Sequence, residues 1–308
     1  MQRSIFVRLG IFLPLCLLAM LGGSAGAAGK LQVVATISDL KALAEAVGGD
    51  LVEVEVLARG NQNPHDLEVR PSLMLKLRHA DALVVNGLEL DDWANVAVQG
   101  ANNPRIIPGG TGLIDASRGV PVLEVPAGRV DRSMGDVHPS GNPHYTLDPG
   151  MTPIVTQNLV DGLARVAPEH RAVFERNRAV FLGRLEVAMA RWATSLAPLR
   201  GAKVVVYHGD WVYFLTRFGL QQAGTIEERP GIPATPSHLA QLIRLMKAEQ
   251  VRAVVVEPWS DRELASRVAQ DAGAKVALLN AKLGTVTGPD AYIATTEANV
   301  IALTQALR

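Results

Sequence analysis

The chain has 308 residues, the length of about two domains. Hydrophobic residues make up 48% of it and charged residues 19%, and 30 basic side chains balance 30 acidic ones. This composition is typical of a packed globular protein and excludes a disordered chain, which combines low hydrophobicity with high net charge. A net charge of zero also provides no overall basic field of the kind that attracts nucleic acid. We therefore predict no nucleic-acid partner.

Residues 1–27 are predicted to be a signal peptide for secretion. Arg3 and Arg8 give a positive start, residues 9–21 form an apolar core, and the Ala-Gly-Ala sequence at 25–27 is a typical cleavage site. A membrane anchor is the alternative, but the apolar core is short for a span and small residues follow it.

The one cysteine of the chain, Cys16, lies inside this segment and follows Leu15, where a lipoprotein signal has a small residue. Cleavage after residue 27 would leave no cysteine, and hence no disulfide and no thiolate metal site. Because Arg3 and Arg8 would also be removed, the exported chain would carry 28 basic and 30 acidic residues.

Strand-like and helix-like patterns alternate along the rest of the chain. In the first half, strands are predicted at 32–37, 51–56 and 82–87, with helices at 38–47 and 71–78. In the second half, strands are predicted at 203–207, 252–257 and 275–280, and helices at 237–249, 260–271 and 291–307. This alternation predicts an α/β fold with mostly parallel sheets covered on both faces.

A long helix is predicted between the halves, over 168–199. Its apolar residues recur at helical spacing: Phe174, Phe181, Leu185, Ala188, Trp192, Leu196 and Leu199. Such a helix suits a rigid strut along two lobes, with 28–167 as the N-terminal lobe and 200–308 as the C-terminal lobe. A core helix of one large domain is the alternative. Residues 117–143, rich in Gly, Pro and Val, are predicted to be a long surface loop.

Three of the seven histidines share one setting. His65 and His144 lie in loops, each after an Asn-Pro pair, and His208 ends a predicted strand. Ligands of α/β sheets bind beyond the carboxyl ends of the strands, and neutral imidazoles are typical zinc ligands. His138 lies in the long loop, where it is either an ordinary loop residue or one that passes metal inward.

Motifs of common enzymes are absent. The sequence contains no HExxH, no GxSxG, no Walker-type phosphate loop and no GxGxxG. Metal binding is therefore the leading chemistry.

Six motifs follow one another along the chain after residue 27: NPHDLEVRPS at 63–72, ADALVVNGLELD at 80–91, GNPHYTLDP at 141–149, YHGDWVYF at 207–214, PGIPATPSHL at 230–239 and VEP at 256–258. In these motifs the chain resembles the cluster A-I solute-binding proteins of ABC transporters, the periplasmic family that binds zinc and manganese. The resemblance covers nearly all of the chain after the signal peptide.

The resemblance implies two α/β lobes joined by a rigid helix, with a metal ion in the cleft between them. His65 and His144 would bind it from the first lobe and His208 from the second. The family offers an aspartate as fourth ligand in a Leu-Asp-Pro-Leu-Gly-like turn, but here the stretch at 279–284 is LNAKLG, with Asn280 in that place. The fourth ligand is then Asn280, water or Glu257, and we favour Asn280 or water.

Three imidazoles without an assured carboxylate favour Zn²⁺ over Mn²⁺, which prefers more oxygen ligands. The resemblance thus predicts a monomeric protein, not an enzyme, that captures Zn²⁺ and delivers it to an ABC permease in the inner membrane. A manganese-specific protein of the same family is one alternative. A secreted zinc hydrolase is another, since three histidines and a water also form a catalytic site.

Overall fold

Two four-stranded parallel sheets organise the computed structural model, which describes residues 29–280 and 284–308. The first sheet has the order β2-β1-β3-β4 and contains β1 (Leu31–Ala35), β2 (Val52–Val56), β3 (Ala82–Val85) and β4 (Leu113–Asp115). The second has the order β6-β5-β7-β8 and contains β5 (Lys203–Val206), β6 (Gln221–Thr225), β7 (Ala253–Val256) and β8 (Lys275–Leu278). The predicted α/β class with parallel sheets is confirmed.

Helices cover the sheets. They are α1 (Ser38–Gly48), α2 (Pro71–Arg78), α3 (Ala94–Ala101), α4 (Thr152–Val166), α5 (Arg171–Leu196), α6 (Val212–Phe218), α7 (Pro236–Ala248), α8 (Arg262–Ala272) and α9 (Ala291–Leu307). Among the described residues, no helix is long and apolar enough to cross a membrane. The predicted signal peptide lies outside the described residues. The predicted long loop at 117–143 contains one short 3₁₀ helix, at Arg132–Met134, and otherwise has no helix or strand.

The predicted long helix is confirmed and joins the lobes. A 3₁₀ turn at Pro168–His170 leads into α5, whose 26 residues span about 39 Å at 1.5 Å per residue, and a second turn at Ala197–Leu199 follows. Every residue of its predicted apolar stripe is buried. One core cluster runs from the β1 side of the protein through α5 to the β5 side, so the two lobes share a continuous packed interior.

Polar contacts hold α5 to both lobes. The Asn177 side chain donates to the carbonyl of Val47 in α1 at 3.1 Å. On the other side, the Trp192 indole donates to Glu297 in α9 at 2.6 Å, and Arg191 donates to the same carboxylate at 3.1 Å. The spacing of the lobes is thereby fixed along the helix. The domain limits at 167 and 200 stay predictions.

Both sheets have the same switch point. β1 lies between β2 and β3, and β5 lies between β6 and β7, so the connections leave in opposite directions on either side of these central strands. Crevices at the carboxyl ends of such strands are the places where α/β sheets bind ligands.

We predict that the buried stripe of α5 carries much of the stability. Leu185→Ala removes a side chain that is 2% exposed and should cost about 2–5 kcal/mol of unfolding free energy, because it leaves a cavity between the lobes. Val187→Ala, two positions along the same helix at 63% exposure, is the matched control and should cost less than about 0.5 kcal/mol. Urea unfolding of both variants, in the presence of a metal chelator, measures the difference in the free energy of unfolding. Equal costs would contradict the assigned packing.

Candidate metal centre

Two identical local turns present the first two histidines. In Asn63-Pro64-His65 the Asn63 side-chain oxygen accepts from the backbone N–H of His65 at 3.0 Å.

In Asn142-Pro143-His144 the Asn142 oxygen accepts from the N–H of His144, also at 3.0 Å. An asparagine that bonds the backbone two residues on forms a tight turn, and the proline between them restricts the chain further. The Asn-Pro-His sequence therefore fixes the backbone of each histidine before any metal arrives.

Contacts from outside anchor the same turns. The Trp93 indole donates to the carbonyl of Pro64 at 2.9 Å, and the Asn86 side chain donates to the carbonyl of Pro143 at 3.0 Å. The two histidines are thus tied to the first lobe through the proline that precedes each of them.

His208 comes from the second lobe, two residues after β5 ends at Val206. Its Nδ1 lies 2.7 Å from a carboxylate oxygen of Glu227, which follows the neighbouring strand β6. Backbone pairing brings the two segments together, since the N–H of Glu227 donates to the carbonyl of Tyr207 at 3.1 Å. The other ring nitrogen, Nε2, lies 3.3 Å from the Oδ1 atom of Asp210.

Hydrogen bonds across the lobes set how far apart the histidines lie. Tyr213 in α6 donates its hydroxyl proton to the carbonyl of Asn142 at 2.8 Å, and the Asn142 amide donates to the carbonyl of Gly209 at 2.9 Å. Arg217 forms two hydrogen bonds with the buried Asp148 carboxylate, at 2.7 and 2.9 Å. The cleft is therefore closed around the three rings.

The three predicted histidines and Asp210 converge on one point. One donor atom from each lies within 4.8 Å of every other. The Nε2 atoms of His65 and His144 are 3.1 Å apart, and the Asp210 Oδ1 lies 3.2 Å from His144 Nε2 and 3.3 Å from His208 Nε2. A tetrahedral zinc ion with bonds of about 2.0–2.1 Å would place its donors about 3.3–3.4 Å apart. The three separations quoted, 3.1, 3.2 and 3.3 Å, lie at this spacing or slightly below it.

The Asp210 oxygen that faces these nitrogens is buried and, among the described residues, receives no hydrogen bond. A buried carboxylate without a partner is costly unless a cation neutralises it. The donor set, three imidazole nitrogens and one carboxylate oxygen, suits a divalent transition metal. The residues present therefore fit a bound metal ion.

Among the described residues, the side-chain oxygen of Asn280, unlike Oδ1 of Asp210, is already hydrogen-bonded. Its side-chain oxygen accepts from the Asn299 amide at 2.9 Å, and its backbone N–H donates to the Asn299 oxygen at 2.6 Å. Its backbone has a φ of 55°, in the left-handed region that asparagine tolerates. Asn280 still lines the cavity that His144 and Asp210 also line, so its role as a ligand stays a prediction.

Glu257 is fully buried and forms hydrogen bonds with the segments that follow β5 and β7. Its carboxylate accepts from the Trp211 indole and from the Ser260 hydroxyl, the latter at 2.8 Å. Burial raises the pKa of Glu257 to about 8, and the nearby Asp210 charge contributes. Its hydrogen bonds give it a structural role.

The sequence analysis missed Asp210 and Glu227. Asp210 had a signal, because it lies two residues after His208 in a turn at a strand end. Glu227 had none, since only the pairing of β5 with β6 brings it to a residue 19 positions away.

Of the remaining histidines, His138 contacts the cluster, whereas His79 and His170 lie elsewhere. The His138 ring stacks on that of His65 with centroids 5.2 Å apart, and its Nε2 lies 3.3 Å from His65 Nδ1. His79 ends α2 at the surface, and His170 lies in the turn before α5. Neither belongs to the metal-ligand cluster in the described part of the chain.

Comparisons with known proteins identify the family of the chain. The profile of the family called zinc-uptake complex component A, periplasmic, matches residues 33–306. The chain belongs to this family.

Individual relatives carry different metals in their names. AdcA, a zinc-binding lipoprotein of Streptococcus pneumoniae, is 24% identical over 293 residues, which cover 90% of this chain and 56% of AdcA. The chain thus spans about half the length of AdcA. MtsA, an iron ABC transporter substrate-binding lipoprotein of Streptococcus pyogenes, is 25% identical over 89% of this chain and 87% of its own.

Solved structures share the fold. A crystal structure of ZnuA is 26% identical, with a TM-score of 0.76 over 91% of this chain and 100% of that one. FpvC of Pseudomonas aeruginosa, solved with Mn²⁺, has a TM-score of 0.75 at 23% identity over 90% of this chain and 98% of its own, a likeness in fold alone.

The family consists of substrate-binding proteins of metal ABC transporters, not enzymes. The expected resemblance is confirmed, and the hydrolase alternative is wrong.

In the metal-free site the pKa is lowered for two of the histidines and raised for the third. Burial lowers the pKa of His65 and His144 well below the usual range, and neighbouring imidazoles lower it further. Burial also acts to lower the pKa of His208, but Asp210 and Glu227 outweigh it and raise that pKa to about 9. Burial raises the pKa of Asp210 to about 6, against the opposing effect of His208. At neutral pH a proton on His208 therefore balances Asp210.

We predict that metal binding displaces this proton. A metal ion binds only a neutral imidazole, and the pKa of His208 in the metal-free protein is raised to about 9. If His208 is a ligand, the apparent affinity for Zn²⁺ should therefore rise with pH up to that value. Between pH 6.5 and 8.5 it should rise about tenfold per pH unit, the effect of one displaced proton. Competition titrations measure the affinity, and calorimetry in two buffers of different ionisation enthalpy counts the protons released. An affinity that does not change over this range would contradict the assigned charges.

Proposed function

We propose that this protein captures Zn²⁺ with His65, His144, His208 and Asp210 and delivers it to the permease of an ABC transporter. The observation that carries the proposal is the buried Asp210 oxygen, which lies 3.2 and 3.3 Å from two imidazole nitrogens and, in the described part of the chain, receives no hydrogen bond. A dication at this point would bind all three imidazoles and neutralise the carboxylate.

The ligand types support zinc as the cargo. Four-coordinate tetrahedral sites of nitrogen and oxygen donors are typical of Zn²⁺, whereas Mn²⁺ prefers more oxygen ligands and a larger coordination number. Family membership alone does not decide the metal, because AdcA is named for zinc and MtsA for iron.

Charge supports Asp210 over Asn280 as fourth ligand. Three neutral imidazoles would leave the full +2 charge of zinc in a cleft where His144 and Asp210 are almost completely buried. A carboxylate lowers that charge to +1, and bonds to charged groups are about twice as strong as bonds to neutral ones. The oxygen of Asn280 is neutral and already accepts from Asn299.

Location and assembly belong to the same proposal. AdcA and MtsA are lipoproteins, which is consistent with metal capture outside the cytoplasm. We propose a periplasmic monomer, exported by the segment at 1–27, that docks to a permease in the inner membrane. The intact mass of the exported protein would test the cleavage after residue 27.

We predict one tight zinc site that depends on all four ligands. His65→Ala, His144→Ala, His208→Ala and Asp210→Asn should each weaken Zn²⁺ binding by at least about 100-fold, the upper range for losing a group that only supports a ligand. His79→Ala and His170→Ala remove histidines outside the cluster and should leave the affinity unchanged. Competition with a chelator of known zinc affinity measures each constant.

A reciprocal pair of variants separates the two candidates for fourth ligand. If Asp210 binds the metal, Asp210→Asn weakens zinc binding, while Asn280→Ala changes it by less than about threefold, well below the cost of losing a ligand. The opposite pattern, with Asn280→Ala as the damaging change and Asp210→Asn as the harmless one, would show that Asn280 binds the ion. A stoichiometry of zero for the unaltered protein would refute the zinc proposal as a whole.

A further inference from the structure

One carboxylate oxygen of Glu227 contacts both the metal site and a turn beside it. Glu227 Oε2 lies 2.7 Å from His208 Nδ1 and accepts from the backbone N–H of Gly231, also at 2.7 Å. The side chain is 16% exposed, so water competes little for these bonds.

The turn at 228–231 carries a segment of the other lobe. The backbone N–H of Asp136 donates to the carbonyl of Pro230 at 2.9 Å, and the Arg229 guanidinium donates to the carbonyl of Ser133 at 2.9 Å. The long loop of the first lobe therefore rests on the second lobe through residues 133–136.

Two glycines allow this close approach. Gly135 and Gly231 both have a φ of 74°, in the left-handed region. A Cβ on Gly135 would lie 2.0 Å from the carbonyl oxygen of Pro230, and a Cβ on Gly231 would lie 2.1 Å from a carboxylate oxygen of Asp136. Neither position leaves room for a side chain, because Gly135 lies against the backbone of Pro230 and Gly231 against the side chain of Asp136.

The same loop closes over the ligands. His138 stacks on His65 two residues after Asp136, and a cavity of about 190 Å³ separates the loop from His144 and His208. Metal that leaves toward this side has to pass the loop segment 133–138.

We propose that Glu227 is a positioning residue that orients His208 for the metal and couples metal binding to the seating of the loop segment 133–138. The inference rests on the proposed function, because it takes His208 as a metal ligand. A neutral imidazole binds metal through Nε2 when Nδ1 carries the hydrogen, and Glu227 accepts that hydrogen. The ring position is thereby transmitted through one oxygen to Gly231 and to the turn on which the loop rests. Because coupling is reciprocal, zinc favours the seated loop and the seated loop slows the loss of zinc.

The test compares Glu227→Ala with Glu227→Gln and with Glu228→Ala. A glutamine keeps one oxygen that accepts both hydrogen bonds, whereas alanine removes them. Glu228→Ala removes the adjacent exposed carboxylate and is the matched control for charge. Three readouts are measured for each variant: the Zn²⁺ affinity, the visible spectrum of the Co²⁺-loaded protein, and amide hydrogen exchange of residues 133–138 with and without saturating Zn²⁺.

Glu227→Ala should weaken Zn²⁺ binding about 10- to 100-fold, as expected when a group supporting a ligand is lost. It should also change the Co²⁺ spectrum and abolish the slowing of exchange that Zn²⁺ causes at 133–138. Glu227→Gln should restore the Co²⁺ spectrum and the slowing, and Glu228→Ala should match the unaltered protein. Gly135→Ala, which displaces the loop but leaves Glu227 and the metal ligands in the sequence, should release Zn²⁺ faster than the unaltered protein.

Several outcomes would overturn the inference. Glu227→Ala that behaves like Glu228→Ala in all three readouts would do so. The unaltered protein provides a test that needs no variant: Zn²⁺ that leaves exchange at 133–138 unchanged would refute the coupling, and ¹⁵N NMR showing His208 bound through Nδ1 would refute the positioning. If the unaltered protein binds no Zn²⁺, the proposed function itself fails, and this result is distinct from the others.

Discussion

A buried carboxylate oxygen that faces three imidazoles is the constraint on which this site depends. Asp210 Oδ1 lies in the closed cleft and, among the described residues, receives no hydrogen bond. An ionised carboxylate in such a place is unfavourable unless a positive charge compensates it. In the metal-free protein the proton on His208 provides that charge, since Asp210 and Glu227 raise the pKa of His208 to about 9. A metal ion supplies the same charge and also binds the imidazole nitrogens.

The rest of the fold holds the three histidines and Asp210 close together and leaves the charge of Asp210 without a hydrogen-bond donor among the described residues. Two Asn-Pro-His turns fix His65 and His144 to the first lobe, and the segment that follows β5 carries His208 and Asp210 in the second. The lobes cannot drift apart easily, because the core is continuous through α5 and Arg217 pairs with the buried Asp148 across the cleft. A pre-formed cluster of this kind loses little conformational entropy when it binds its ion.

The sequence allowed much of this architecture to be predicted, and the reasons for the failures are physical. Strong periodic signals, such as the stripe from Phe174 to Leu199 and the helix at 291–307, gave elements whose limits agree closely with the structure. Short elements without a clear period were missed: β4 has three residues, and β6 (Gln221–Thr225) is polar.

In the candidate site, too, some residues could be predicted from the sequence and others could not. The three histidines were recognisable because each follows a strand or a turn motif in its own stretch of sequence. The carboxylates were not, because their roles arise from contacts between segments. Glu227 reaches His208 only through strand pairing, and the choice between Asp210 and Asn280 depends on which side chain is already hydrogen-bonded, as Asn280 is to Asn299. Local patterns contain no such information.

The most direct test of the account is a crystal structure of the zinc-loaded protein with anomalous data collected at the zinc edge. The account predicts one strong anomalous peak within about 2.0–2.2 Å of His65 Nε2, His144 Nε2, His208 Nε2 and a carboxylate oxygen of Asp210. A peak bound to the side chain of Asn280, with Asp210 outside bonding distance, would contradict the assignment of the fourth ligand. A peak away from the three histidines would contradict the site itself.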